Sequence, residues 1–383
     1  MTTAIKNETP NQAANAADLS MTSRYRGCLL GGAVGDALGA PVEFMSRQEI
    51  LGTFGPDGIT EFAPAYGGIG TITDDTQMTL FTASGLIGGW VRGVTRGMGR
   101  LEGPVAGAYL RWLQTQEVEP TCDMTPGPGG LGWLFEQKLL HSRRAPGNTC
   151  LSALRDMERR GVPATNKSKG CGGVMRVAPV GLFTLRWPSM RSPRQAFRLG
   201  TALAALTHGH PTGSLTGGVL AVLIYELANG ATLRAALAVA KSNLMQHAGH
   251  EETLQAIEHA EALAASNVSP ASAVDSLGEG WVAEEALAIS IYCALIARDF
   301  RQGVILAVNH DGDSDSTGAI TGNLLGAQLG VEAIPPAWLE QLELRDVIAE
   351  LADDLARFPS WDVGIDAVDE SFAEHIWRKY PPH

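Results

Sequence analysis

Two stretches of this chain carry glycine at every fourth position. Gly27, Gly31, Gly35 and Gly39 recur in RGCLLGGAVGDALGA, and Gly318, Gly322, Gly326 and Gly330 recur in TGAITGNLLGAQLG. A spacing of four places each set along one face of a helix. Each interior glycine costs roughly 1 kcal/mol of helix propensity relative to alanine, so a helix that keeps four of them needs a compensating interaction. Close backbone approach is that compensation, and the simplest partner for one glycine face is the other. Such a pairing would bring residues 36–43 close to 313–316. The competing explanation is chance enrichment in a chain that holds 45 glycines.

Helical periodicity dominates elsewhere. It runs over 25–40, 75–92, 103–115, 149–160, 195–207, 214–228, 231–243, 250–265, 281–299, 317–329 and 344–356, and few stretches alternate as strands do. Sparse aromatics and abundant alanine suit helices that pack closely better than a sheet sandwich. The expected fold class is therefore all-α, as one compact domain over residues 21–375 with no linker and no fixed-period repeat. Residues 1–20 are polar and aperiodic and read as a flexible arm, and 376–383 as a C-terminal tail.

The formal charge of −12 argues against nucleic acid or an anionic membrane as a partner, since both require a basic surface. Five scattered cysteines without a CxxC pair indicate neither a zinc site nor a disulfide framework and fit a reducing compartment. The first twenty residues lack the pattern of a secretion signal. No uninterrupted apolar run approaches the ~18 residues of a membrane span. The expectation is a soluble, cytoplasmic protein.

Two acidic clusters concentrate the chemistry. VNHDGDSDSTGAITG sets Asp311, Asp313 and Asp315 at alternate positions, and Thr73-Asp74-Asp75-Thr76 precedes a helical run. Capping explains either one alone: Asp74 with Gln77 resembles a capping box, and Asp313 or Ser316 can cap the helix beginning near Thr317. Two clusters together suit a hard cation such as Mg²⁺, Mn²⁺ or Ca²⁺, which neutralises the repulsion that capping leaves in place. An EF-hand is excluded, because counting from Asp313 puts Leu324 where the bidentate Glu belongs. A dehalogenase-like phosphatase is excluded by topology, since only 66 residues follow Thr317. The glycine turn KGCGGVMR, residues 169–176, presents consecutive N–H groups able to hold a diphosphate, or is a plain turn.

Taken in order, RGCLLGGAVGDALGAPVEF, TDDTQM, APGNTCLSAL, KGCGGVMRVAP, THGHPTG, GWVAEEAL and GDSDSTGAI resemble the motifs of the ADP-ribosylglycohydrolases over roughly residues 24–330. The resemblance implies a compact all-helical fold with a binuclear cleft for two Mg²⁺ or Mn²⁺ ions. By the same resemblance Thr73, Asp74, Asp75, Asp313, Asp315 and Ser316 are the metal ligands, and Asp311 has no such role. Gly170, Cys171, Gly172, Gly173, Val174, Met175 and Arg176 would receive the diphosphate with His208 close by, and Trp281 and Glu285 would support the nucleoside end. A helix cap at His208 and a core position for Trp281 are the plainer alternatives. Glu43 matches a glutamate kept near the metals and substrate. Asp123 matches a substrate-site aspartate, although its loop EPTCDMTPGPGG departs from Pro-x-Asp-Ile-Gly at Met124 and Thr125.

The implied activity is removal of ADP-ribose from a modified protein. The GDSDS form, with Ser316, looks most like the ADP-ribosylarginine hydrolase branch, with Asp74, Asp75 and Glu43 as candidates for proton transfer. Hydrolysis of a serine or ester linkage, and a non-catalytic binding module, are the alternatives. Some bacterial members are antidotes to ADP-ribosylating toxins, which makes a cognate ADP-ribosyltransferase a further partner for the arm.

Overall fold

The two glycine faces meet. In the computed structural model, which describes residues 19–97, 99–124 and 130–381, helix α1 (Met21–Gly39) lies against a helix spanning Ser314–Leu329, and no other pair among the described residues is packed so extensively. A Cβ added at Gly27, Gly31, Gly35 or Gly39 would fall under 3.0 Å from the backbone oxygen of Gly326, Gly322, Gly318 or Ser314 respectively. Real Cβ atoms do not approach so closely. The numbers rise on one helix as they fall on the other, so the pair is antiparallel, and residue 36 is brought beside the 313–316 turn.

The remaining helices follow in chain order as α2 (Arg47–Phe54), α3 (Asp74–Arg96), α4 (Glu102–Thr115), α5 (Asn148–Arg155), α6 (Ala178–Arg186), α7 (Pro193–Ala204), α8 (Pro211–Ala228), α9 (Leu233–Leu244), α10 (Glu251–Ala264), α11 (Pro270–Leu277), α12 (Ala283–Ile296), α13 (Phe300–Val308), α14 (Ser314–Leu329), α15 (Pro336–Gln341), α16 (Arg345–Arg357) and α17 (Glu370–Lys379). The only paired strands among the described residues are β1 (Pro64–Ala65) and β2 (Gly68–Ile69), joined through Tyr66 and Gly67, both at positive φ as a tight hairpin turn requires. The fold is all-α. Helix α14 packs on α1, α12 and α13, while α8 packs on α6, α7 and α9.

Many helix starts use the capping chemistry the sequence offers. Ser46, Thr73, Ser192, Thr232, Ser269 and Asp299 each accept a backbone N–H in the following turn.

Helix α8 has the length and mean hydropathy of a membrane span, and 89% of that window is buried inside the protein, as in a core helix. Two expectations need correction. The boundary drawn at residue 375 falls within α17, and Tyr380 is fully buried with its hydroxyl on Asp354, so packing continues through Tyr380. Helices α2, α6, α11, α13, α15 and α17 were absent from the periodicity. Helix α6 (APVGLFTLR) is buried at every position but its last, which leaves no polar face to generate a period. Of the expected arm, residues 1–18 lie outside the described residues.

Candidate active site and metal centre

The start of α14 and the turn after α1 line one side of a cleft of about 550 Å³. Thr73 caps α3 and puts Asp74 and Asp75 in its first turn; Asp313 caps α14 and puts Asp315 and Ser316 in its first turn. Two helix N-termini, each favourable to anions, therefore present their carboxylates to one space. Glu43 joins them from the turn after α1. Capping and cation binding turn out to be compatible uses of the same residues.

Oxygens of Glu43, Asp313 and Asp315 lie within 4.8 Å of one another. A hard cation with oxygen ligands at roughly 2.0–2.6 Å spans such a group. Asp75 contributes a buried Oδ1 with no hydrogen-bond partner. No Lys or Arg among the described residues forms an ion pair with any of these carboxylates. Buried anions with an orphaned oxygen and no ion-pair partner are the donor set that a divalent ion completes. Asp311 stands apart, accepting the Arg47 N–H.

The sequence reading missed Asp36. Fully buried near the end of α1, its carboxylate accepts the backbone N–H of Thr73 and Thr76 and both of their hydroxyls. The Thr73 hydroxyl donates to Asp36 and accepts the Asp75 N–H, which leaves one lone pair of its oxygen for a cation. Asp36→Asn would set an amide N–H against those donors. It is expected to weaken Mn²⁺ binding by about 10–100-fold, the usual cost of losing a group that orients a ligand, and calorimetric titration measures it. An unchanged affinity would remove Asp36 from the site.

The electrostatics follow from burial. Asp36 is pushed up to about 7 and Glu43 up to about 11, first by burial and then by the Asp315 charge. Asp74, Asp75 and Asp313 are raised for the same two reasons in the same order. An acid raised on folding binds more protons folded than unfolded between its two values, so stability falls as pH rises through that window. The windows run from 3.8 to about 7 for Asp36 and from 4.5 to about 11 for Glu43. Buried His208, held neutral and pushed down to about 3 by burial and by Arg176, acts the opposite way only below its ordinary 6.5. The chelated protein is therefore expected to melt higher at pH 7 than at pH 9, and Mg²⁺ or Mn²⁺ should flatten that slope. Calorimetry at both pH values checks this; a chelated protein that melts higher at pH 9 contradicts it.

Of the glycine turn, Gly170, Cys171, Gly172 and Met175 line the cleft. Gly173, Val174 and Arg176 stand behind it. The Cys171 N–H is already given to the Trp281 carbonyl, and its thiol lies 2.8 Å from Asp313 Oδ2. Arg176 is fully buried, stacked over Tyr109 and bonded to Leu203 O and the Thr207 hydroxyl, so direct contact with a diphosphate is corrected to an indirect role. Having accepted from Arg176 at 2.7 Å, the Thr207 hydroxyl turns its hydrogen to His208 Nδ1 at 2.8 Å in preference to Ala204 O at 3.5 Å. That leaves His208 Nε2–H as a donor beside Gly170 and Gly172.

Trp281 is at the cleft's rim, 38% exposed and stacked on Phe44, so it is not a core residue. Glu285 lies outside the cleft and accepts the N–H groups of Glu279 and Gly280, holding the loop that carries Trp281. Asp123 is exposed and is not among the described residues lining the cleft; residues 125–129, which follow in its loop, lie outside the described residues. Thr73 lies just beneath the lining. Two further contributors escaped sequence reading. Tyr66, at the hairpin turn, places its hydroxyl 3.4 Å from Glu43 Oε2, and the Gly147 N–H donates to Asp74 Oδ2 at 3.3 Å. The motif APGNTC was the available signal for the second; none existed for the first.

The family model described as ADP-ribosylglycohydrolase matches residues 17–362. The chain is 28% identical to the ADP-ribosyl-[dinitrogen reductase] glycohydrolase of Rhodospirillum rubrum, over 85% of this chain and 92% of that one. It is 25% identical to an ADP-ribosylarginine hydrolase of Pseudomonas putida, over 87% and 77%. A solved structure titled as an ADP-ribosylglycohydrolase-related protein complex superposes with a TM-score of 0.56 at 28% identity, covering 88% of this chain and 98% of that one.

Proposed function

Because the chain belongs to the ADP-ribosylglycohydrolase family, we propose that it hydrolyses the N-glycosidic bond joining ADP-ribose to a protein arginine, with two Mg²⁺ or Mn²⁺ ions as cofactors. The observation that carries this reading is the meeting of two capped helix N-termini, with their carboxylates, in one cleft beside a glycine turn and a neutral histidine donor. The names of the relatives from Rhodospirillum and Pseudomonas support an ADP-ribosylated protein as substrate and arginine as the linkage.

Thr73, Asp74, Asp75, Asp313, Asp315 and Ser316, with Glu43 at the edge, would hold the cations. When bound, these supply positive charge that orients the ribose hydroxyls and acidifies a water. The turn at Gly170–Gly172 and the His208 Nε2–H face the space a diphosphate would take, and Trp281 offers an aromatic face at the rim. Asp74, Asp75 and Glu43 are the candidates to take the proton of the attacking water and to return one to the departing guanidine. Water oxygen bonds to the anomeric carbon as the carbon–nitrogen bond breaks, releasing ADP-ribose and unmodified arginine. An oxocarbenium-like transition state follows the pattern of other glycosyl transfers. A cognate ADP-ribosyltransferase would then be the enzyme whose product this chain reverses.

The test is a release assay on three defined linkages, namely an arginine-modified protein, a serine-modified peptide and an ester of ADP-ribose. Arginine release at least ~10-fold faster than the others is expected. Faster serine or ester release would reassign the linkage, and tight binding without release of any would make the chain a binding module.

A further inference from the structure

Behind one wall of the cleft lies a second cavity, of about 590 Å³, lined by Glu252, Gln255, Glu258, His259, Glu284 and Glu285 over an apolar base. The partition is thin. Gly170 pairs with Val282 in an antiparallel bridge, the Ala283 N–H donates to the Lys169 carbonyl at 2.8 Å, and the Cys171 N–H donates to the Trp281 carbonyl at 3.1 Å. Gly170, Cys171 and Trp281 face the first cavity, while Glu284 and Glu285 face the second.

Four carboxylates gather here, and Lys169 forms the only ion pairs made to them among the described residues, with Glu252 Oε1 at 2.6 Å and with Glu284 Oε1. Glu252 also accepts the Thr212 hydroxyl, and Glu285 accepts the Glu279 and Gly280 N–H groups. Glu284 differs from an ordinary solvated acidic face. It is only 7% exposed, and its Oε2 is buried without a hydrogen-bond partner. A cavity of net negative charge whose wall includes a buried carboxylate with an orphaned oxygen favours a ligand with N–H donors and a positive charge.

We propose that this cavity is a subsite for a basic side chain of the substrate polypeptide, an arginine or lysine within about four residues of the modified one. The reach follows from the partition: an extended chain advances roughly 3.3–3.6 Å per residue, so a peptide whose modified side chain enters beside Trp281 carries its neighbours across a wall about one strand spacing thick. A guanidinium offers a planar fork that matches a carboxylate. The neighbouring ligand's identity rests on the glycohydrolase reading; the charge complementarity does not.

The test uses Glu252→Gln/Glu258→Gln, two exposed positions on α10 outside the cleft, in the full chain. Its substrates are two arginine-ADP-ribosylated peptides that differ only in flanking arginines or flanking glutamates, together with free ADP-ribosylarginine. The wild type is expected to show a KM at least ~10-fold lower for the basic-flanked peptide. The double variant should lose that preference while keeping its KM for free ADP-ribosylarginine. Equal KM for the two peptides in the wild type, or a preference that survives in the double variant, overturns the proposal. Should no substrate be hydrolysed, the glycohydrolase reading fails and fluorescence anisotropy of the unmodified peptides decides this one. Binding of the basic peptide at least ~10-fold tighter to wild type than to the double variant sustains the subsite, and equal binding overturns it.

Discussion

Asp313→Ala, and separately Asp75→Ala, should stop release of ADP-ribose while the chelated protein keeps its fold. Removing one partner of a buried charge interaction costs about 3–5 kcal/mol, which in a barrier is a fall of roughly 10²–10⁴-fold. Stability should respond far less. Asp313 caps α14 through the Ser316 N–H, and a lost cap costs about 1 kcal/mol. Against that, one of several mutually repelling buried carboxylates disappears. Asp75 has a partnerless Oδ1 and caps nothing, so Asp75→Ala in chelator should melt at or above the wild type. Added Mn²⁺ should then raise the wild-type midpoint and leave both variants nearly unmoved. Near wild-type turnover by either variant would remove it from the metal centre.

Gly35→Ala should destabilise the protein by forcing the α1–α14 pair apart. Helix propensity alone predicts a gain of roughly 1 kcal/mol. The added Cβ would, however, fall under 3.0 Å from the Gly318 carbonyl oxygen, and a backbone atom has no rotamer to move into. The helices must separate, at an overpacking cost of about 1–3 kcal/mol or more, and Gly35→Leu should cost more still. Separation also displaces Asp36 from the Thr73 and Thr76 donors, so metal affinity should fall with stability. Gly52→Ala is the control: nothing lies within 4 Å of its added Cβ, and a gain of about 0.5–1 kcal/mol is expected. Urea melts of the two variants decide the matter. Gly35→Ala melting at or above wild type would end the close-packing account.

Much of this arrangement was legible before any coordinates. The four-residue glycine spacing identified the α1–α14 pair and the approach of residue 36 to the 313–316 turn, because backbone contact leaves glycine as its only trace. The two aspartate clusters were legible because like charges so close need a reason. What escaped is equally physical. Asp36 is a lone acid in an apolar helix, and its four donors lie in a segment 37 residues away, a separation that no local pattern spans. Tyr66 reaches Glu43 through a hairpin only two residues long on each side, too short to alternate. Arg176 sits in a motif that resembles a ligand-binding loop, yet its side chain turns inward to Tyr109 and Thr207, an orientation that spacing does not encode. Glu285 was assigned to the nucleoside end by the family resemblance, whereas helix α12 turns it to the far side of the partition.

The central claim is that the carboxylates of α3 and α14 share cations that make the cleft a hydrolase. Its most direct test is the release of ADP-ribose from an arginine-modified protein by chelator-stripped enzyme, followed as Mn²⁺ is added back and bound ion is counted. The expected result is no release without metal and recovery that saturates at two ions per chain. Full release by the stripped enzyme in the continued presence of chelator would contradict the account.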